Sequence, residues 1–118
     1  MKIKHILKTK DFRTLIVNGK KLPGRAVLLY VQETKKNGVF PLKVGVTTSK
    51  KQAARAVKRN YVKRLIYAEL RKIKVREGVY LRVIVRLIKP VNKMTRKEIA
   101  CEIQQDLKVL CGRIDGIL

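Results

Sequence analysis

Apolar residues along this chain recur with two periods, and the places where the period changes mark out its elements. In residues 10–18, Phe12, Leu15 and Ile16 share one helical face, and Asn18-Gly19 supplies a stop. The segment LPGR, residues 22–25, predicts a turn. In residues 26–32, Val27, Leu29 and Val31 alternate with Leu28 and Tyr30, the period of a strand. Residues 33–38 are polar and end in glycine, which predicts a hairpin connection. A second strand follows over 40–47, with Leu42, Val44 and Val46 on one face and Pro41 near its start, where a missing N–H is tolerated.

The period then lengthens. Residues 53–74 predict a long helix in which Val62, Leu65, Ile66 and Ile73 form a core-facing stripe bordered by Leu70. Asn60, Lys63, Arg64, Tyr67, Arg71 and Lys74 occupy the opposite side. Glu69 falls inside the apolar stripe, a placement the sequence does not explain. Glu77-Gly78 ends the unit, and residues 79–87 predict a third strand: Leu81, Val83, Val85 and Leu87 face one way, Tyr80, Arg82, Ile84 and Arg86 the other. Thr95 and Glu98 have the spacing of a capping box. They open a last helix with Ile99, Ile103, Leu107 and Leu110 inward. Helix, strand, strand, helix, strand, helix predicts an α+β fold, a two-layer sandwich forming a single domain over residues 1–118. The strands flanking the long helix are expected to run parallel through a helical crossover.

Charge changes the picture from fold to partner. The chain has 30 Lys plus Arg against 8 Asp plus Glu, a net +22 on 118 residues. Residues 49–76 alone hold eleven Lys and Arg and one acid, Glu69. Such self-repulsion gains nothing in folding, and its usual compensation is a polyanion, most often nucleic acid. At 46% hydrophobic the chain can bury a core, unlike a disordered basic tail. No apolar run approaches the ~20 residues of a membrane span, and the N-terminus lacks the apolar centre of a signal peptide. The expectation is a cytoplasmic protein without membrane association. Cys101 and Cys111 lie ~15 Å apart along a helix, too far for a disulfide, and both are expected as small core residues. His5 is expected to be solvated, and two Cys with one distant His cannot fill a zinc site. Gly45 and Gly78 stand alone, so no phosphate-cradling loop is formed. The acids are scattered and give no pair suited to metal-assisted phosphodiester cleavage, so no catalytic residue is expected.

Two surfaces remain as candidates. A basic helix face can be merely solvated, but Asn60 beside guanidinium groups can hydrogen-bond phosphate or a 2′-hydroxyl. Arg59 and Arg64 can grip phosphate bidentately, while Lys58 and Lys63 act as point charges. A membrane-surface role fits less well, because strands on both sides in sequence can cover the apolar stripe. The second surface is Phe12, Ile16 and Tyr30 with Lys50 and Lys51, aromatic faces beside ammonium groups that suit single-stranded nucleic acid. Phe12 and Ile16 fit a core equally well. Tyr30 alternates out of phase with Val27, Leu29 and Val31 and so lies on the other sheet face.

The run AVKRNYVKRLIYAELR resembles the Arg-Asn-Arg signature of the bacterial ribonuclease P protein component: Ala56, Val57, Arg59, Asn60, Lys63 and Arg64 match in register. Tyr61 and Tyr67 stand where that family carries arginine, and Ala68 where it frequently carries glutamate. KTKDFRTLIVNGK resembles the family's opening helix, with Ile16 in place of a second aromatic. AVLLYV resembles its first strand, KVGVTTSKKQAARAVKRN its Val-Gly-Val and Ser-Lys-Lys run, and LRVIVRLIKP its last strand. The resemblance implies a left-handed β-α-β crossover, an exception to the usual right-handed rule. It also implies a protein subunit of an endonuclease that removes the 5′ leader of precursor tRNA, with catalysis carried by an RNA subunit and its bound Mg²⁺. Residues implied to meet the RNA subunit are Arg55, Lys58, Arg59, Asn60, Lys63, Arg64, Tyr67 and Arg71. Those implied to hold the leader are Phe12, Ile16, Tyr30, Lys50, Lys51 and Arg86. The implied partners are the ribonuclease P RNA and precursor tRNA, with no protein partner evident. Competing readings are a ribosomal or RNA-chaperone protein of the same sandwich, and a DNA-binding architectural protein.

Overall fold

Strand alternation and helical stripes converge on one face of a single sheet. The computed structural model describes residues 3–4, 9–34 and 42–114. In chain order the elements are β1 (Ile3–Lys4), α1 (Thr9–Asn18), β2 (Lys20–Pro23), β3 (Val27–Thr34), β4 (Leu42–Thr47), α2 (Ala56–Arg71), β5 (Tyr80–Leu87) and α3 (Arg96–Cys111). The five strands are ordered β1-β4-β5-β3-β2. β4 and β5 pair in parallel through α2, as expected, and β3 pairs antiparallel with both β5 and β2.

Two sequence expectations are corrected. β3 and β4 are not a hairpin pair, because β5 lies between them. β5 lies at the centre, with Leu81, Val83, Val85 and Leu87 buried on one face and Ile84 buried on the other between Arg82 and Arg86. Residues 22–25 are not simply a turn, since Leu22 and Pro23 finish edge strand β2. Pro23 sits where a lost ladder N–H costs least. The strand starts at Phe40 and Pro41, the residue 35–41 connection and His5 lie outside the described residues.

The main core lies between the sheet and the helices α2 and α3. It gathers Leu22, Val27, Leu29 and Val31 with Leu42, Val44 and the apolar row of β5, and closes with Val62, Ile66, Leu70, Ile99, Ile103, Leu107 and Leu110. On α2 the buried set is Val62, Ile66, Glu69 and Leu70, so the stripe is rotated from the expected one. Leu65 and Ile73 are half-buried against this core, Ile73 lying beyond the end of α2. A smaller cluster, Leu15, Leu28, Tyr30 and Ile84, occupies the opposite sheet face beneath α1.

Caps and turns fix the helix ends. Thr95 and Glu98 form the expected capping box. Hydrogen bonds from the Thr95 backbone N–H, then its side chain, hold the Glu98 carboxyl below its usual range. Asp106 of α3 accepts from the backbone N–H groups of Ala26 (2.5 Å) and Val27 (3.1 Å), pinning the start of β3. Gly24 allows that approach, since a Cβ there would lie 2.8 Å from the Asp106 carboxylate and from Leu110. Gly78, at φ 80°, takes the left-handed turn before β5. Both cysteines are free, but only Cys111 is buried. Cys101 is exposed, correcting its expected core position, because it points away from the Ile99–Ile103 stripe.

Candidate nucleic-acid interface

The basic residues of α2 divide into three groups. Lys58 turns inward, and its ammonium donates to the carbonyls of Val91 (3.1 Å), Asn92 (2.5 Å) and Met94 (3.1 Å). Arg59 folds back over the helix start and donates to the carbonyls of Ala53 and Ala54, both at 2.9 Å. The Val91 carbonyl also accepts from Met94 N–H at 3.1 Å; the others lie in connections without ladder partners, where a cation satisfies groups otherwise left to water. Asn92 completes the junction: its side-chain oxygen accepts from Ala54 N–H (2.7 Å), and Val91 N–H donates to Gln52 (2.7 Å). The segment carrying Lys50 and Lys51 is thereby tied to the segment that opens α3.

The second group points outward. Val57, Asn60, Tyr61 and Arg64 follow one another at i, i+3, i+4 and i+7, one continuous ridge. Asn60 and Arg64 are exposed, as are Arg71 farther along and Arg55 at the N-cap. Exposed Val57 adds apolar surface to the ridge. The third group lies on the flank. Lys63 and Tyr67 are half-buried, and Tyr67 packs against the main core. Burial raises the Tyr67 phenol above its ordinary pKa.

Tyr61 is on the α3 side of the ridge. Its hydroxyl donates to the Arg96 carbonyl at 3.2 Å, and the Arg96 guanidinium lies 5.4 Å from its ring centroid. Sequence reasoning missed Arg96. Thr95-Glu98 fixed where α3 begins, but nothing in the sequence brings residue 96 to residue 61. Glu69 gains its explanation here: it is buried against α3 and paired with Lys72 at 3.0 Å. Burial, with Glu69 nearby as the lesser cause, pushes the Cys111 thiol up to about 11. Other described carboxylates are used away from the ridge. Glu102 pairs with Lys89 at 2.6 Å, Asp106 caps β3 and Glu98 caps α3.

The second candidate surface is the α1 side of the sheet. The register sets Lys43 opposite Arg82 and Thr47 opposite Arg86, so β4 and β5 place cations in a row on the face opposite the main core. Arg86 is exposed. Lys50 and Lys51, also exposed, follow β4 at the Arg86 end. Tyr30 is on this face, as the alternation predicts, but it is only 7% exposed beneath α1. Ile16 is 48% exposed on α1. Phe12 falls within α1, and its side chain lies outside the described residues.

A mixed sheet with two helices on one face and one on the other, displaying a cationic ridge on the crossover helix, defines a class of small basic α+β domains. The sequence profile of the family Ribonuclease P matches residues 1–114. The chain belongs to this family. It is similar to the ribonuclease P protein component of Lactobacillus delbrueckii subsp. bulgaricus, 41% identical over 61 residues, 52% of this chain and 49% of the relative. The match thus spans about half the length of that relative. In structure it is similar to the RNase P protein of Staphylococcus aureus, with a TM-score of 0.69 and 25% identity over 92% of this chain and 95% of that one. The RNase P protein of Thermotoga maritima shares the fold, with a TM-score of 0.68 and 20% identity over 96% and 99% of the two chains.

Proposed function

We propose that this chain is the protein subunit of ribonuclease P. It binds the RNA subunit through the outer ridge of α2. It holds the single-stranded 5′ leader of precursor tRNA along the α1 side of the sheet, and the RNA performs the cleavage. The observation that carries this reading is the ridge itself: Asn60, Arg64 and Arg71 project from one helix face, among residues that include no carboxylate. Phosphate contacts from such a face release counterions and give affinity, and the amide adds a group that can read a 2′-hydroxyl.

The described residues include no group of three or more His, Cys, Asp or Glu that could hold a metal. In this reading the Mg²⁺ belongs to the RNA. The chain contributes cations that compact and position RNA. For the leader, the exposed groups are Arg86, Lys50, Lys51 and Ile16. Tyr30 is buried beneath α1 with only 7% of its surface exposed.

Reconstitution with a bacterial ribonuclease P RNA tests the proposal. Adding the protein should lower the Mg²⁺ needed to remove the leader. Cleavage by rigorously RNA-free protein, or an unchanged Mg²⁺ requirement, contradicts it. Within the same assay, Arg86→Ala should weaken precursor tRNA while sparing mature tRNA. Equal losses for both ligands place the leader elsewhere.

A further inference from the structure

The ridge of α2 ends in a hollow that α3 helps to build. Val57, Asn60, Tyr61 and Arg64 line one side and Arg96 the other, enclosing ≈ 160 Å³. A second hollow of ≈ 240 Å³ shares Val57, Tyr61 and Arg96 and adds Arg55 and Lys58. Two features make this more than a stretch of basic surface. Its lining is partly apolar and open to solvent, since Val57 lines both hollows among cationic neighbours and is 63% exposed. Its far wall is held in place: Tyr61 binds the Arg96 backbone through its hydroxyl and the guanidinium through its ring. A guanidinium seated on an aromatic ring keeps its in-plane N–H donors available and presents its other face outward. No carboxylate is among the lining residues.

We propose that this hollow takes one unpaired nucleotide of the RNA subunit. The phosphate sits between Arg64 and Arg96, and the base lies over Val57 and the outer face of the Arg96 guanidinium. The Asn60 amide reaches a 2′-hydroxyl or a base edge. A paired nucleotide does not fit, because its base faces are stacked within the helix and cannot lie over Val57 and the Arg96 guanidinium. Arg96 thereby becomes an RNA-contacting residue on a helix outside the basic signature of α2. The inference rests on the reading that this chain binds the RNA subunit.

The test is equilibrium binding of a bacterial ribonuclease P RNA at fixed salt by wild type, Arg96→Ala, Arg96→Lys and Lys97→Ala, with thermal unfolding of each. Lys97 is the control, being adjacent, exposed and of equal charge but outside the hollow. Arg96→Ala should weaken binding about tenfold, the loss expected of one charge-assisted contact. Arg96→Lys should recover only part of it, and Lys97→Ala should stay within roughly twofold. Chemical probing of the bound RNA should show an unpaired nucleotide protected by wild type and by Lys97→Ala and reactive again with Arg96→Ala. Equal losses for Arg96→Ala and Lys97→Ala mean diffuse charge and overturn the site, as does a change confined to paired nucleotides. If wild type itself fails to bind the RNA, the subunit reading falls, and the site with it.

Discussion

Lys58-Arg59 and Asn60-Arg64 are neighbours in one basic helix, yet the fold uses them in opposite ways. The first pair spends its donors on five backbone carbonyls, in the connections before α2 and before α3. The second pair faces solvent. Helical phase accounts for the difference. Residues 58 and 59 lie on either side of the Val62–Ile66 stripe, within reach of loop carbonyls. Residues 60 and 64 lie opposite the stripe and meet only water or a partner. Charge alone therefore does not identify an interface. In this helix part of the cation set is structural, and a binding defect on its removal would report a loosened helix start.

The largest expected effect is on the structural side. Lys58→Ala removes three carbonyl contacts at the junction of two connections and should lower unfolding free energy by about 1.5–3 kcal/mol, the range for bonds to a charged group. Arg59→Ala should follow at roughly 1–2 kcal/mol, since its carbonyl partners are closer to solvent. Denaturant unfolding with Arg64→Ala as reference measures both. Arg64→Ala should stay within about 0.5 kcal/mol of wild type, as an exposed substitution away from caps and cores does. Equal stabilities for the Lys58 and Arg64 variants would erase the distinction.

The functional side is next in size. Arg64→Ala should weaken binding to the RNA subunit about tenfold, close to 1.4 kcal/mol, with unfolding unchanged. Lys58→Ala and Arg59→Ala are to be compared with it only well below their unfolding transitions. There they should lose less affinity than Arg64→Ala, because the donors they remove are turned inward. A greater loss for Lys58→Ala under those conditions would show that its ammonium leaves the carbonyls when RNA arrives.

Much of this architecture was legible from period alone. The alternation in β3 and β5 assigned each side chain to its sheet face, including Tyr30 and Arg86, and Thr95-Glu98 marked the start of α3. Local patterns could not give strand order. Nothing in residues 33–38 tells whether β3 pairs with β4 or admits β5, because strand order is set by pairing between segments far apart in sequence, here β3 with β5. Nor could they separate structural from projecting cations, since the carbonyls that Lys58 reaches lie 33 to 36 residues away. Tyr30 was placed on the correct face, but its depth beneath α1 depends on a helix whose docking the strand pattern does not contain. Glu69 read as an anomaly within an apolar stripe because that stripe serves two neighbours, the sheet and α3, and a single periodicity cannot distinguish them.

The smallest effect concerns the two tyrosines standing where the family signature carries arginine. They are not equivalent. Tyr61 anchors Arg96 through hydroxyl and ring, so Tyr61→Arg removes a packed ring, sets two guanidinium groups side by side and should lower stability. Tyr67 occupies the other flank, half-buried against the core, where burial raises its phenol pKa. An arginine at 67 can keep its aliphatic stem on that surface and extend its head toward the ridge. Tyr67→Arg should therefore leave the fold intact and tighten RNA binding at low salt. It should steepen the salt dependence by less than the ~0.9 expected for a full duplex phosphate contact, because position 67 lies beside the ridge and not on it. RNA-subunit affinity of wild type and variant across a salt series measures the slope. A full unit of steepening would put residue 67 on the contact line and widen the interface toward Lys63. An unchanged slope would confine RNA to the ridge running from Val57 through Arg64 and the α3 wall beside it.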